Sequence, residues 1–94
     1  MLFMVIEHFK EGGAEPVYER FAAKGRMEPD GLEYVASWIE PKLNRCFQLM
    51  KTDDASLFPE WVSKWSDLVD FEIVPVVESA ETVEAFSRRI LLHN

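Results

Sequence analysis

The sequence predicts an α+β protein with a four-stranded antiparallel sheet, formed as one domain over residues 1–94. Two observations lead to this fold class. Short apolar runs of strand length alternate with segments whose large apolar side chains recur at helical spacing. Their order along the chain is strand, helix, strand, strand, helix, strand and a trailing helix. The composition supports a packed core, because 48% of the residues are apolar and 13% are aromatic.

The first strand and the first helix are separated by glycines. Residues Leu2–Phe9 are mostly large and apolar or β-branched, and they predict the first strand. Gly12-Gly13 ends that strand, and Pro16 suits the first turn of a helix, where its missing N–H costs nothing. Gly25 is typical of a residue that ends a helix, so the first helix is expected to stop there.

The middle of the chain predicts two neighbouring strands. Pro29-Asp30-Gly31 is a turn signature, and Leu32–Glu40 follows it as the second strand. Pro41–Asn44 is a loop of hairpin length, and Arg45–Lys51 is the third strand. That third strand is apolar apart from its charged ends and Gln48 at its centre. An unpaired buried amide costs about 1–3 kcal/mol, so Gln48 is expected to bond a neighbour or to face a polar pocket.

The second helix is predicted from capping residues and an apolar stripe. Asp54 and Ser56 are both N-cap candidates, and Pro59 favours Ser56 because it then falls within the first turn. The stripe consists of Leu57, Trp61, Trp65 and Leu68. Each indole N–H needs a hydrogen-bond acceptor when it is buried, and Gln48 and Glu72 are the candidates.

The last two elements are a strand and a helix. Phe71–Val77 predicts the fourth strand, and Pro75 places it at a sheet edge because proline cannot donate to a strand ladder. Ser79 is expected to cap the final helix. The apolar stripe of that helix consists of Val83, Phe86 and Ile90.

This order of elements, with right-handed crossovers, is the ferredoxin-like βαββαβ arrangement plus a C-terminal helix. The first and third strands are central, and the two main helices cover one sheet face. The first strand is nevertheless apolar on both faces, with Leu2 and Met4 on one and Phe3 and Val5 on the other. An uncovered apolar face usually marks an interface, so we predict a homodimer with sheets packed face to face. The alternative is a monomer in which the third helix covers that face.

Charge and cysteine content narrow the classes of partner. The net charge is −7 and no Lys/Arg cluster is long enough to follow a phosphate backbone, which argues against nucleic acid and anionic membranes as partners. Cys46 is the only cysteine, so no intrachain disulfide can form, and we predict a cytoplasmic protein. The apolar run 1–6 lacks the form of a signal peptide and is too short to span a bilayer. No metal-ligand spacing and no cofactor are predicted.

Five stretches of the chain together form a recognisable pattern: Met1–Glu7, Pro16–Tyr18, Arg45–Met50, Thr52–Asp54 and Phe71–Val76. This pattern resembles a family of short bacterial proteins, domain of unknown function 3303. The resemblance implies membership of the dimeric α/β-barrel, ferredoxin-like superfamily, which is similar to antibiotic-biosynthesis-type monooxygenases, muconolactone isomerases and stress-responsive barrel proteins. It also implies a ligand position between the helices and the sheet of each subunit. The family has no settled activity, so the resemblance implies a fold and a pocket rather than a reaction.

Strand register decides which polar side chains meet. We assume that Val5 lies opposite Gln48 on the third strand and opposite Val74 on the fourth. One face then carries a row consisting of Glu7, Cys46 and Glu72, with Gln48 in the next row. Two facing carboxylates repel, so the pKa of one rises and that group can act as an acid or base near neutrality. The alternative is that both carboxylates lie at strand ends and are solvated or paired with Arg20, Arg26 or Arg45.

The function hypotheses follow from this arrangement. The leading one is a small homodimer that binds a small apolar or aromatic ligand between helices and sheet, with Gln48, Trp65, Trp61, Trp38 and Cys46 as candidate ligand-binding residues. The first alternative is a cofactor-independent monooxygenase-like or isomerase-like enzyme with Glu7 or Glu72 as the base. The second is a structural or stress-related self-association module. A cavity touching Gln48, Glu72 and Trp65 would favour the first two over the third.

Overall fold

A computed structural model describes residues 1–93, and the side chains of residues 1–89. The elements in chain order are β1 (Leu2–Phe9), α1 (Ala14–Lys24), β2 (Glu33–Ile39), β3 (Arg45–Lys51), α2 (Leu57–Ser63), β4 (Val69–Val76) and α3 (Ser79–His93). The four strands form one sheet in the order β2-β3-β1-β4, and all neighbours are antiparallel. The predicted α+β class, the ferredoxin-like order and the central positions of β1 and β3 are confirmed.

Element boundaries differ most around α2 and β4. The helix ends at Ser63, so Trp65 and Leu68 lie in the turns that follow it rather than on the helix itself. Strand β4 begins at Val69, two residues earlier than predicted. Of the two N-cap candidates, Ser56 occupies the cap position, whereas the Asp54 carboxylate accepts the Ser56 backbone N–H at 3.0 Å.

The register between the central strands is as predicted, but the register with β4 is not. Val5 lies opposite Gln48 on β3, which confirms that pairing. On β4, Val5 lies opposite Ile73, so the assumed register is wrong by one residue. A shift of one residue moves every side chain to the other face. Glu72 therefore lies opposite Ile6, on the face away from Glu7.

The alternation of side chains along β4 explains its register. Val69, Phe71 and Ile73 share one face, and Val69 is fully buried there. Asp70 and Glu72 share the other face and are exposed. The assumed register would have turned these two carboxylates toward the helices, where burial of unpaired charge is costly. The observed register buries the apolar set instead.

The core lies between the helices and one face of the sheet. Its buried apolar members are Phe3, Val5, Val17, Leu32, Met50, Phe58, Trp61, Trp65 and Val69. The rings of Phe3 and Phe58 meet edge to face with centroids 4.9 Å apart.

Two glycines with positive φ flank α1, and the amide of one of them, Gly25, donates to the Phe21 carbonyl at 2.7 Å. Gly25 therefore ends α1 as predicted.

The opposite face of the sheet is uncovered. Its apolar side chains include Leu2, Met4, Ile6, Phe47 and Leu49, all half-buried by their neighbours within the sheet. We call this surface the open face. Trp38 lies opposite Phe47 and is therefore also on the open face, where it is 56% exposed.

Helix α3 does not cover the open face. Every side chain that the structure describes in α3 is exposed, including Val83 and Phe86. The side chain of Ile90, the third predicted member of its stripe, lies outside the described residues. The monomer with α3 folded over the sheet is thus not the arrangement of this chain.

Among the described residues, no helix combines the length and the apolar content needed to cross a membrane.

Candidate functional site

A cavity of about 150 Å³ lies between the helices and the covered face of the sheet. Its apolar walls include Phe9, Val17, Trp61 and Trp65. Three exposed side chains also line the cavity, namely Tyr18 and Phe21 of α1 and Ser37 of β2. The cavity therefore opens to solvent where these three side chains lie. We call this exposed end the mouth.

The inner end of the cavity is polar. Arg26 Nε donates to Gln48 Oε1 at 2.5 Å, and Gln48 Nε2 donates to Glu7 Oε1 at 2.5 Å. A guanidinium only donates and a carboxylate only accepts, so the two partners fix which way the Gln48 amide points. Gln48 thus links a cation to a carboxylate across two strands and a loop. We call these three residues the polar chain.

Glu7 is the buried carboxyl of the polar chain. It comes from β1 and is 7% exposed. Burial raises the pKa of Glu7 to about 7, although the hydrogen bond from Gln48 and the charge of Arg26 oppose that rise. No side-chain donor in the described part of the chain bonds its second oxygen, Oε2. Every fully buried side-chain oxygen in that part of the chain has a hydrogen-bond partner. Oε2 has none, so it is not fully buried, and it retains access to the cavity that Glu7 lines.

Arg26 is positioned by a tight loop after α1. Its neighbours Gly25 and Met27 both have positive φ, at 70° and 61°. The Arg26 carbonyl accepts the indole N–H groups of Trp61 and Trp65, each at 3.0 Å. Positive φ at Met27 is strained for a side-chain-bearing residue, and two indole donors on one carbonyl hold the loop in that conformation.

The Arg26 side chain is held from a second direction. Its guanidinium carbon lies 3.7 Å from the centroid of the Tyr34 ring and 5.1 Å from that of Phe21. A guanidinium stacked on an aromatic face is stabilised by the ring quadrupole. The loop and the stacking together direct Nε toward Gln48.

Two further titratable groups line the cavity. Burial, followed by the nearby charge of Glu7, raises the pKa of the Cys46 thiol to about 11, so the thiol stays protonated and unreactive at neutral pH. Burial, followed by the nearby charges of Cys46 and Glu7, also raises the pKa of Tyr18 above its ordinary value. Neither group is ionised near pH 7.

The structure brings together five of the predicted site residues and separates two. Around the cavity lie Glu7, Cys46, Gln48, Trp61 and Trp65. Glu72 and Trp38 lie on the open face instead, because of the β4 register and the β2 pairing. Glu72 is exposed and its Oε1 lies 3.4 Å from His8 Nε2. The predicted row of facing carboxylates is therefore wrong, and only Glu7 faces the cavity.

The sequence did not single out Arg26, Tyr18, Phe21 or Ser37 as lining residues. The sequence predicts Arg26 only as a possible ion-pair partner of the carboxylates, and it predicts Gln48 or Glu72 as the acceptor of the indole N–H groups. They bond a backbone carbonyl instead, which any residue type carries. The glycine before Arg26 is the one local signal of an unusual backbone there. In the described chain, no group of three or more His, Cys, Asp or Glu side chains is placed to hold a metal ion.

One comparison with known proteins gives a match. A family model described as "Domain of unknown function (DUF3303)" matches residues 1–90. No curated protein and no solved structure gives a significant match.

Proposed function

The chain belongs to the DUF3303 family, and we propose that it binds a small apolar or aromatic ligand in the cavity between the helices and the sheet. The observation that carries this proposal is an aromatic-walled cavity of about 150 Å³ with the polar chain at its inner end. Apolar walls with a few convergent polar groups are typical of small-molecule sites. A space of this size accommodates about one aromatic ring.

Titration with toluene and with anisole tests the proposal. Trp61 and Trp65 line the cavity, so we expect a saturable change in tryptophan fluorescence. Burial of about 150 Å² of ring surface at about 25 cal/mol/Å² gives a Kd on the order of 1 mM. The titration is made in a Trp38→Phe background, which removes the indole on the open face.

A cavity-filling variant provides the matched control. Cys46→Phe places a ring in the cavity from the beginning of β3, and it should abolish the saturable response while the protein still unfolds cooperatively. If neither toluene nor anisole gives a saturable response up to its solubility limit, the proposed binding function is wrong.

A second candidate function is cofactor-independent catalysis with Glu7 as the base. The observation in its favour is the raised pKa of Glu7, about 7, together with its access to the cavity. A carboxyl with such a pKa is well matched to proton transfer near neutral pH. Gln48 would orient that carboxyl, and Trp65 would position the substrate. Glu72, the other candidate base, lies on the open face and has no part in this proposal.

We also propose that the open face packs against a second copy of the chain. Its central strands carry half-buried apolar side chains, and Trp38 and Val74 on the same face are exposed. A small domain buries a limited share of its surface by itself, so added burial of such a face stabilises it. The cavity lies on the covered face, which leaves it accessible in a face-to-face dimer.

Light scattering after size exclusion tests the dimer. We expect the wild-type chain to have the mass of a dimer at micromolar concentration and Leu49→Lys to have that of a monomer. Leu49 is on the open face of central strand β3, so the substitution buries an unpaired charge at the interface. Ala22→Lys adds the same charge on the exposed surface of α1 and should remain a dimer. A wild-type mass equal to that of one chain would contradict the proposal.

A further inference from the structure

One oxygen at the inner end of the cavity is free to accept a hydrogen bond. In the polar chain, the Gln48 amide is bonded at both ends and Glu7 Oε1 is already an acceptor. Glu7 Oε2 retains access to the cavity, as described above. When Glu7 is ionised, a ligand that reaches the inner end therefore meets an acceptor rather than a donor.

The other polar groups of the cavity offer less to a ligand. The Ser37 hydroxyl already shares a hydrogen bond with the Tyr34 hydroxyl at 2.8 Å, near the mouth. The Cys46 thiol is a weak donor and acceptor. Arg26 uses its Nε on Gln48, and its guanidinium stacks on Tyr34. An anion that contacted Arg26 would also lie near the Glu7 carboxyl, whose charge Arg26 already stabilises.

The walls specify the rest of the ligand. Four aromatic side chains line the cavity, namely Phe9, Phe21, Trp61 and Trp65. The volume of about 150 Å³ accommodates one ring with a small substituent. Aromatic ligands pack against such walls in stacked or edge-to-face geometry.

From these observations we propose that the cavity selects a single-ring aromatic alcohol of the phenol type, bound as the neutral molecule with its hydroxyl donating to Glu7 Oε2. This inference rests on the proposed binding function. A hydrogen bond from a hydroxyl to a carboxylate is charge-assisted and is stronger than one between neutral groups. Binding of this kind requires ionised Glu7, so the affinity depends on pH.

The pH dependence can be assigned to Glu7 because its neighbours do not titrate in the relevant range. Arg26 from the loop stays charged. Cys46 from β3 has a pKa of about 11, and the pKa of Tyr18 from α1 is raised. The β4 residue opposite Glu7 is Phe71, and the residues that line the cavity near α2 are Trp61 and Trp65.

The test compares phenol with anisole, toluene and benzoate between pH 5 and pH 8. Phenol should bind at least about tenfold more tightly than anisole at pH 8, because anisole has the ring and the oxygen but no donor. The Kd of phenol should fall by about tenfold between pH 5 and pH 8, with most of the change near the Glu7 pKa of about 7, because phenol keeps only its ring contacts when Glu7 is protonated. The Kd values of anisole and toluene should stay constant.

Variants separate Glu7 from other groups. Glu7→Gln should remove the pH dependence for phenol and reduce its advantage over anisole. His8→Gln is the control, because His8 is the next residue on β1 but points to the open face, and it should leave the profile unchanged. The wild-type profile alone decides the matter if Glu7→Gln does not fold.

Failure of this inference is distinct from failure of the proposed function. If anisole and toluene bind but phenol has no advantage and no pH dependence, the cavity binds apolar rings without selecting a hydroxyl. If benzoate binds more tightly than phenol and its Kd falls as the pH is lowered, the site selects an anion through Arg26, and the inference is wrong. If no probe binds, both proposals are wrong.

Discussion

Replacing Trp61 with alanine is expected to lower the free energy of unfolding by about 3–5 kcal/mol. Trp61 is 1% exposed and lies in the centre of the core. Its ring contacts Phe71 edge to face at 5.6 Å and lies 6.4 Å from the ring of Phe58. Alanine would remove these contacts and leave a void that opens into the existing cavity. A domain of this size has a total stability of roughly 5–14 kcal/mol, so the loss is a large share of it.

Trp61→Phe separates packing from hydrogen bonding in this result. Phenylalanine keeps a six-membered aromatic ring in the core but loses the five-membered ring whose N–H donates to the Arg26 carbonyl. Trp65 donates to the same carbonyl, so that acceptor stays bonded in the variant. We therefore expect Trp61→Phe to cost about 1–2 kcal/mol.

Urea unfolding followed by far-ultraviolet circular dichroism measures both variants. All proteins are compared at one concentration, because subunit association would add to the apparent stability. Values for Trp61→Ala within about 1 kcal/mol of the wild type would show that this ring does not anchor the core.

The strands that could be predicted best are β1 and its neighbour β3, which share one sequence pattern. β1 and β3 are apolar runs with charged ends, and both their bounds and their mutual register agree with the structure. The same register brings Cys46 opposite Glu7 and places Gln48 beside them. The positions of Glu7, Cys46 and Gln48 at the cavity were therefore predictable from residue pattern, whereas those of Phe9 and Ser37, which also line it from the sheet, were not.

The features that escaped prediction depend on backbone geometry and on competition between registers. For β4, the predicted register depends on the residue at which the strand begins. With Val69 in the strand, the alternation that buries Val69 and Phe71 is apparent, whereas a strand beginning at Phe71 leaves the register open. Arg26 was missed for a different reason. Its place at the cavity depends on positive φ at Met27 and on a carbonyl that accepts two indoles, and residue types do not encode either.

The second large effect concerns pH. We expect Glu7 to make the protein less stable as the pH rises from 5 to 8, by about 2.5 kcal/mol. Burial raises the pKa of Glu7 from 4.5 in an ordinary environment to about 7 in the folded chain. Between these two values the folded state holds one more proton than the unfolded state, so a rise in pH favours unfolding. The stabilising contribution is complete below the unfolded pKa and is lost as the pH passes through the folded one.

Glu7→Gln provides the comparison that isolates this effect. The amide has nearly the same shape but does not titrate, so the difference in unfolding free energy between wild type and variant should change by about 2.5 kcal/mol between pH 5 and pH 8. The variant should gain relative to the wild type at the higher pH. Both proteins carry His8→Gln, which removes the imidazole on the open face from the comparison. Asp67, whose pKa is lowered to about 2 by Arg20, is already ionised throughout this range and contributes equally to both. If the difference in unfolding free energy stays constant from pH 5 to pH 8, Glu7 has the same protonation state in the folded and unfolded chains. That outcome would remove the physical basis for its pH-dependent ligand binding and for its role as a base.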